Sequence, residues 1–89
     1  MTEYRIASYD SFFNNVGSYE HIGKYVDDNA AIKAASNMMS LLYQPSDLME
    51  IQIYIKGLVM GEWCLIGAVH YEGDDNWSDT DIVFDACYC

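Results

Sequence analysis

The densest group of chemically active side chains in this chain is a run of carboxylates in residues 72–85, which read EGDDNWSDTDIVFD. The run contains no Lys or Arg, and its acidic residues are Glu72, Asp74, Asp75, Asp79, Asp81 and Asp85. Carboxylates at this density attract cations or the basic side chains of another protein. The whole chain has 14 acidic and 4 basic residues, a net charge of -10. Such a charge argues against nucleic acid and anionic lipid as direct partners, since both are polyanions.

Part of this run has the spacing of a calcium-binding loop. Asp74, Asn76 and Ser78 alternate, and Asp85 follows Asp74 by eleven positions, as the last ligand of an EF-hand loop follows the first. Asp79, however, stands where that loop requires glycine, and the last ligand is Asp instead of Glu. The segment after the run is also strand-like, so we expect no EF-hand calcium site.

Three cysteines, Cys64, Cys87 and Cys89, are the other candidate metal ligands. Cys87 and Cys89 would share one face of a strand, but the C-x-x-C spacing typical of zinc sites is absent. Because the number is odd and the sequence indicates a reducing compartment, we interpret them as free thiols. The prediction is no metal and no cofactor, with a cysteine-based metal-binding module as an alternative.

Catalysis would require a nucleophile, a base and an orienting group that converge. The only histidines are His21 and His70, and the chain has neither a G-x-S-x-G element nor a phosphate-binding glycine loop. Cys64 and His70 fall on one face of a predicted strand, but six residues span about 20 Å, too far for a dyad. We therefore predict that the protein is not an enzyme.

The elements that must position the carboxylates are strands and one helix. Alternating apolar and polar residues predict strands over 3–9, 49–56, 62–71 and 80–88, and a less regular pattern favours another over 19–25. Asp27 and Asp28 can cap a helix over 29–43. Its apolar stripe consists of Ile32, Ala35, Met39 and Leu42, and is widened by Ala31, Met38 and Leu41.

Runs of strands with a single helix are typical of an α+β domain. We predict one domain over residues 1–89, in the order β(β)αβββ. Its antiparallel sheet would have four to five strands, with one main helix packed on one face. In the last strand, alternation turns Ile82 and Phe84 inward and the acids outward, with alternate residues about 6.6 Å apart.

The predicted partner-binding surface is this outward row with its neighbouring loop. Trp77 would add an aromatic anchor of a type enriched at interaction hot spots. The residues of this surface are Glu72, Asp74, Asp75, Trp77, Asp79, Asp81 and Asp85. It is an equally open interpretation that these carboxylates bind no partner and only keep the protein in solution.

A second candidate contact is the apolar tip of a predicted hairpin, GLVMG over residues 57–61. Leu58 and Met60 would either fold back over the core or contact a partner or a second copy. This tip and an exposed sheet edge leave an assembly or adaptor subunit, including a homodimer, as an alternative function.

The chain has no apolar run of about 18 residues and no signal-peptide pattern at its start. We therefore expect a cytoplasmic protein, located in the host cytoplasm if a phage encodes it. In size, charge and α+β layout the chain resembles the small acidic inhibitors of phages and mobile elements, among them anti-CRISPR proteins and DNA mimics. The resemblance extends to no individual residue. It implies a non-enzymatic protein that blocks the basic surface of a nucleic-acid-binding partner.

Overall fold

The computed structural model describes residues 1–10, 20–57, 61–73 and 80–86. These residues form an antiparallel sheet and one α-helix, so the predicted α+β class is confirmed, and the sheet has five strands, within the predicted four to five. The elements are β1 (Thr2–Asp10), β2 (Glu20–Tyr25), α1 (Asp28–Leu42), β3 (Met49–Lys56), β4 (Trp63–Gly73) and β5 (Thr80–Ala86), with a 3₁₀ turn at Pro45–Asp47.

The strands lie in the order β2-β1-β3-β4-β5, and every neighbouring pair is antiparallel. β2 and β5 are therefore the two edges of this five-stranded sheet. Because β2 and β3 are both antiparallel to β1, they run parallel to each other on either side of it. Parallel strands need a long connection, and α1 supplies it by crossing over one face of the sheet.

The helix begins and ends where its backbone finds capping partners. The Asp27 carboxylate accepts a hydrogen bond from the Ala30 amide at 2.9 Å, which satisfies one of the free donors at the helix start. The carboxylates of Asp27 and Asp28 also face the positive end of the helix dipole. After Leu42 the chain turns extended at Tyr43, ahead of Pro45.

The core lies between this helix and the sheet. Ala31, Ala35 and Met39, spaced one turn apart on α1, are fully buried. Two alanines on the contact face let the helix backbone approach the strands closely. The buried sheet residues in the same cluster are Tyr4, Ile6, Ile51, Ile53 and Val69.

The apolar stripe of the helix is narrower than the sequence indicates. Leu41 is 84% exposed and Leu42 is 48% exposed, so the prediction that both pack on the sheet is wrong. Tyrosines occupy that end of the core instead. The Tyr71 hydroxyl donates to the Tyr43 carbonyl, and the Tyr43 hydroxyl donates to Ser8, both at 2.9 Å.

A β-bulge in β4 reverses part of the predicted face assignment. Ile53 lies opposite Gly67, but Tyr54 lies opposite Leu65, so β4 has an extra residue at this point. Val69 and Ile66 both contact the core as a result, although simple alternation places them on opposite faces. Cys64 lies opposite Ile55 on the core side. His70 lies opposite Glu50 on the outer side, so Cys64 and His70 do not share a face.

No helix among the described residues is both long enough and apolar enough to cross a membrane.

Candidate functional site

The face of the sheet opposite α1 carries the candidate carboxylates at its β5 edge. Ile82 and Phe84 of β5 contact the core, so Asp81 and Asp85, which alternate with them, point away from it. Asp81 lies directly opposite Glu72 of β4. All three carboxylate residues are exposed. We call Glu72, Asp81 and Asp85 the acidic face.

Two of these carboxylates are held in an unfavourable arrangement. The β-carbons of directly opposed residues in an antiparallel pair lie about 5 Å apart, and like charges in that position repel. Glu72 and Asp81 occupy such a pair. They line a shallow pocket of about 330 Å³ together with Gly73 and Val83. A Lys or Arg side chain bound between the two carboxylates would relieve their repulsion.

The Lys and Arg residues are confined to the first part of the chain, before β4 and β5. The four basic residues, Arg5, Lys24, Lys33 and Lys56, lie on β1, β2, α1 and β3. Residues 57–89 contain seven acidic residues and no Lys or Arg. Among the described residues of β4 and β5, Glu72, Asp81 and Asp85 carry negative charge and His70 is the only ionisable base.

Two of the basic residues are already paired within the domain. Arg5 donates to the Glu20 carboxylate at 3.0 Å and to the Tyr9 hydroxyl at 3.3 Å, and it lies 5.0 Å from the centre of the Tyr54 ring. The hydrogen bond from Arg5 lowers the pKa of Glu20. Lys56 contacts the Glu3 carboxylate at 3.3 Å. These pairs reduce the positive charge that the outer face presents to a partner.

His70 forms an ion pair that the sequence does not indicate. It lies opposite Val83 and diagonally across from Asp85, a position that a long side chain can reach. Its Nε2 is 2.5 Å from Asp85 Oδ2, and its Nδ1 is 3.2 Å from the Tyr71 carbonyl oxygen. Both ring nitrogens therefore face acceptors, and only the protonated ring can donate to both.

The groups around His70 raise the pKa of its imidazole ring. Desolvation lowers the pKa of His70, but the hydrogen bonds to the Asp85 carboxylate and the Tyr71 carbonyl outweigh it, so the pKa is raised above its ordinary value. When His70 is protonated, it neutralises part of the acidic face. When it is neutral, Asp85 adds its full charge to Glu72 and Asp81.

We expect the His70 pair to stabilise the domain in acid and to lose this effect as pH rises. A raised folded-state pKa gives stability that is fully present below the unfolded value of about 6.5 and disappears through the folded pKa. The difference in unfolding free energy between wild type and His70→Gln should thus be fully present below about pH 6.5 and shrink as the pH rises above it. Because Asp85 is 72% exposed, the change should stay below about 1 kcal/mol. Urea denaturation at pH values on both sides of about 6.5 measures it.

The control for this measurement is Asp85→Asn, which removes the charged acceptor and should flatten most of the pH dependence. A constant stability difference between wild type and His70→Gln across the range would contradict the assignment of the pair.

A second cleft, of about 300 Å³, lies beside this pair. Its lining residues are Pro45, Leu48, Met49, Glu50, His70, Tyr71 and Asp85. Although Glu50, His70 and Asp85 all border it, no three His, Cys, Asp or Glu side chains in the described part of the chain are placed to hold a metal ion.

The structure corrects the prediction of free thiols at one position, because Cys64 is disulfide-bonded. Cysteine number and an inferred compartment cannot report which backbone segments lie side by side, and that proximity decides pairing. A sulfur in a disulfide is not a thiolate ligand, so Cys64 does not serve a metal-binding module in this state. Cys87 and Cys89 lie outside the described residues.

The structure places three of the predicted site residues on the outer face of β4 and β5: Glu72 and Asp81, which are directly opposed, and Asp85 farther along β5. The other predicted contacts, Asp74, Asp75, Trp77, Asp79, Leu58 and Met60, lie outside the described residues. His70 is the addition that sequence reasoning missed. Only the pairing of β4 with β5 brings it to Asp85, fifteen residues away.

The fold and the site together define a small acidic α+β domain with one helix-covered sheet face and one outer face. Comparisons with protein-family models, with curated proteins and with solved structures found no match to this chain. Its function is therefore inferred from the charges and the geometry of the sheet.

Proposed function

We propose that the chain is a non-enzymatic binding protein that inhibits a nucleic-acid-binding partner through its acidic face. The observation that carries the proposal is the placement of Glu72, Asp81 and Asp85 on the paired strands β4 and β5, in a region without Lys or Arg. Inhibitors of this kind are typical of phages and mobile elements, and an anti-CRISPR protein is one form that this chain could take.

The acidic face resembles a phosphate backbone in carrying fixed, spaced negative charges, which basic proteins bind. Duplex phosphates present regularly spaced negative charge, and most nonspecific affinity for them comes from Lys and Arg. Asp81 and Asp85 are fixed about 13 Å apart along β5, with Glu72 beside Asp81. A cluster of Lys and Arg built for phosphates would accept these carboxylates, and the partner could then no longer bind its nucleic acid.

Strand positioning distinguishes this face from a floppy acidic tail. Carboxylates on paired strands lose little conformational freedom when they bind, which lowers the entropic cost of association. The net charge of -10 would also steer a basic partner toward the domain over distances of about the Debye length, roughly 10 Å at 0.1 M salt. We therefore expect binding that weakens steeply as salt is added.

The test compares two variants of equal net charge. Glu72→Gln with Asp81→Asn removes two charges from the acidic face, relieves their mutual repulsion and leaves the His70 pair intact. Glu62→Lys changes the net charge by the same amount at an exposed position just before β4, about 30 Å from Glu72 along the strand direction. Each protein is immobilised, loaded with extract of the native host or of the cell it invades, and eluted with a salt gradient.

We expect a nucleic-acid-binding protein to elute from the Glu72→Gln/Asp81→Asn column at lower salt than from wild type, with affinity reduced about tenfold or more. Glu62→Lys should retain it nearly as well as wild type. Since removing the like-charge pair should not weaken the fold, a loss of binding would report on the face itself. Equal retention by wild type and the double variant would remove the acidic face as the binding site.

A further inference from the structure

The other edge of the sheet, β2, has a different pattern of exposed side chains. Glu20, Ile22 and Lys24 alternate along its outer face and are all exposed, and Ile22 is 50% exposed. Among the described strands β2 pairs only with β1, so one row of its backbone donors and acceptors faces away from the sheet. An open row of backbone donors and acceptors on a strand edge is a template for pairing with another chain.

This pattern is complementary to itself. If β2 of a second copy lies antiparallel to it about a two-fold axis at Ile22, the two isoleucines meet at the axis. Glu20 then lies opposite Lys24 of the second copy, and Lys24 lies opposite its Glu20. Opposite charges and apolar pairs in directly opposed positions both stabilise an antiparallel pair.

The details of the edge permit this approach. Arg5 contacts Oε2 of Glu20, and the Glu20 side chain is about half exposed, so its carboxylate can also accept from a lysine. On the opposite face of the sheet the same register places His21 against Gly23 of the second copy. Gly23 has no side chain of its own, but the His21 ring of the same strand lies over it, so the two His21 rings must adjust when the edges pair.

The same operation at the β5 edge gives the opposite result. A two-fold axis at Val83 would place Asp81 of each copy opposite Asp85 of the other, so the dimer would contain two such contacts. Like charges in these positions repel. β5 therefore resists pairing with itself, whereas β2 favours it.

We propose that the protein forms a symmetric dimer in which the two β2 edges pair and the two sheets join into one of ten strands. The contact is isologous, because the same surface patch serves on both copies. Both acidic faces would remain free at the two far ends of the joined sheet. The dimer is thus independent of the inhibitory function proposed above.

Sedimentation equilibrium over a wide concentration range tests the proposal. Wild type should show a monomer–dimer equilibrium. Lys24→Glu places Glu against Glu twice across the axis, and the dimer should weaken about tenfold or more. Lys33→Glu is the matched control, since it makes the same charge change on an exposed helix position and should leave dimerisation unchanged.

A mixing experiment separates pairing at this edge from a general effect of charge. Glu20→Lys alone should also be monomeric, and circular dichroism will confirm that it remains folded after losing its contact with Arg5. An equimolar mixture of Lys24→Glu with Glu20→Lys places every Glu against a Lys, so a heterodimer should form from two monomers. Ile22→Lys should abolish the dimer independently, because two lysines would meet at the axis.

The proposal is overturned if wild type stays monomeric at the highest concentration reached, or if Lys24→Glu dimerises as wild type does. It is equally overturned if the mixture of the two folded single variants fails to associate. Binding of a basic partner by Lys24→Glu is measured separately on the affinity column. The dimer proposal and the proposed inhibitory function can therefore fail independently.

Discussion

Replacement of Gly67 by alanine is expected to destabilise the domain by about 3 kcal/mol or more. Gly67 has a φ of 156° at the bulge in β4, and a β-carbon there would overlap the Asp85 carbonyl oxygen and the Phe84 ring. Relief of that overlap requires β5 to move away from β4. The substitution should therefore disturb the acidic face as well as the free energy of unfolding.

The matched control is Gly61→Ala. Gly61 also has a positive φ, of 65°, but a β-carbon at this position would lie 3.7 Å from its nearest neighbour, Lys56 Cε. Only the backbone conformation opposes this change, so a cost of about 1 kcal/mol is expected. Urea denaturation followed by far-ultraviolet circular dichroism measures both. Equal stabilities of the two variants would mean that the close approach of β5 to Gly67 is not a constraint.

Met39→Ala is expected to cost about 3 kcal/mol, because it empties a fully buried site between the helix and the sheet. Leu41→Ala, two residues later, should change stability by less than about 0.5 kcal/mol, since that side chain is 84% exposed. The pair of variants therefore measures which face of α1 packs. A cost at Leu41 comparable to that at Met39 would contradict the narrow contact face.

The sequence predicts a strand or helix well where its apolar residues recur with a regular spacing. The strand at Met49–Lys56 has the predicted bounds, and α1 starts one residue before the predicted segment and ends one residue before its end. Both follow from signals within a few residues of each other: alternation in the strand, and aspartates with a good helix-forming interior in the helix.

The features that depend on pairing between distant segments could not be predicted. Nothing in the sequence places β1 between β2 and β3, or sets the register that opposes Glu72 to Asp81. The bulge at Gly67 decides that Ile66 faces the core and that Cys64 and His70 lie on different faces. A glycine within a strand pattern is compatible with a bulge but does not require one.

The candidate site depends both on local sequence patterns and on the pairing of distant strands. The outward direction of Asp81 and Asp85 follows from alternation with Ile82 and Phe84, which the sequence contains. The ion pair between His70 and Asp85 follows from the tertiary register alone. The electrostatic character of the site was therefore predictable, but its pH sensitivity was not.

The central claim is that the acidic face occupies the nucleic-acid site of its partner. It is tested most directly by competition between this protein and nucleic acid for the partner that elutes from the wild-type column. We predict mutual exclusion. Added wild type should release a labelled nucleic acid from the partner, and Glu72→Gln/Asp81→Asn should require at least about tenfold more protein to do so. A ternary complex of partner, nucleic acid and this protein would contradict the claim.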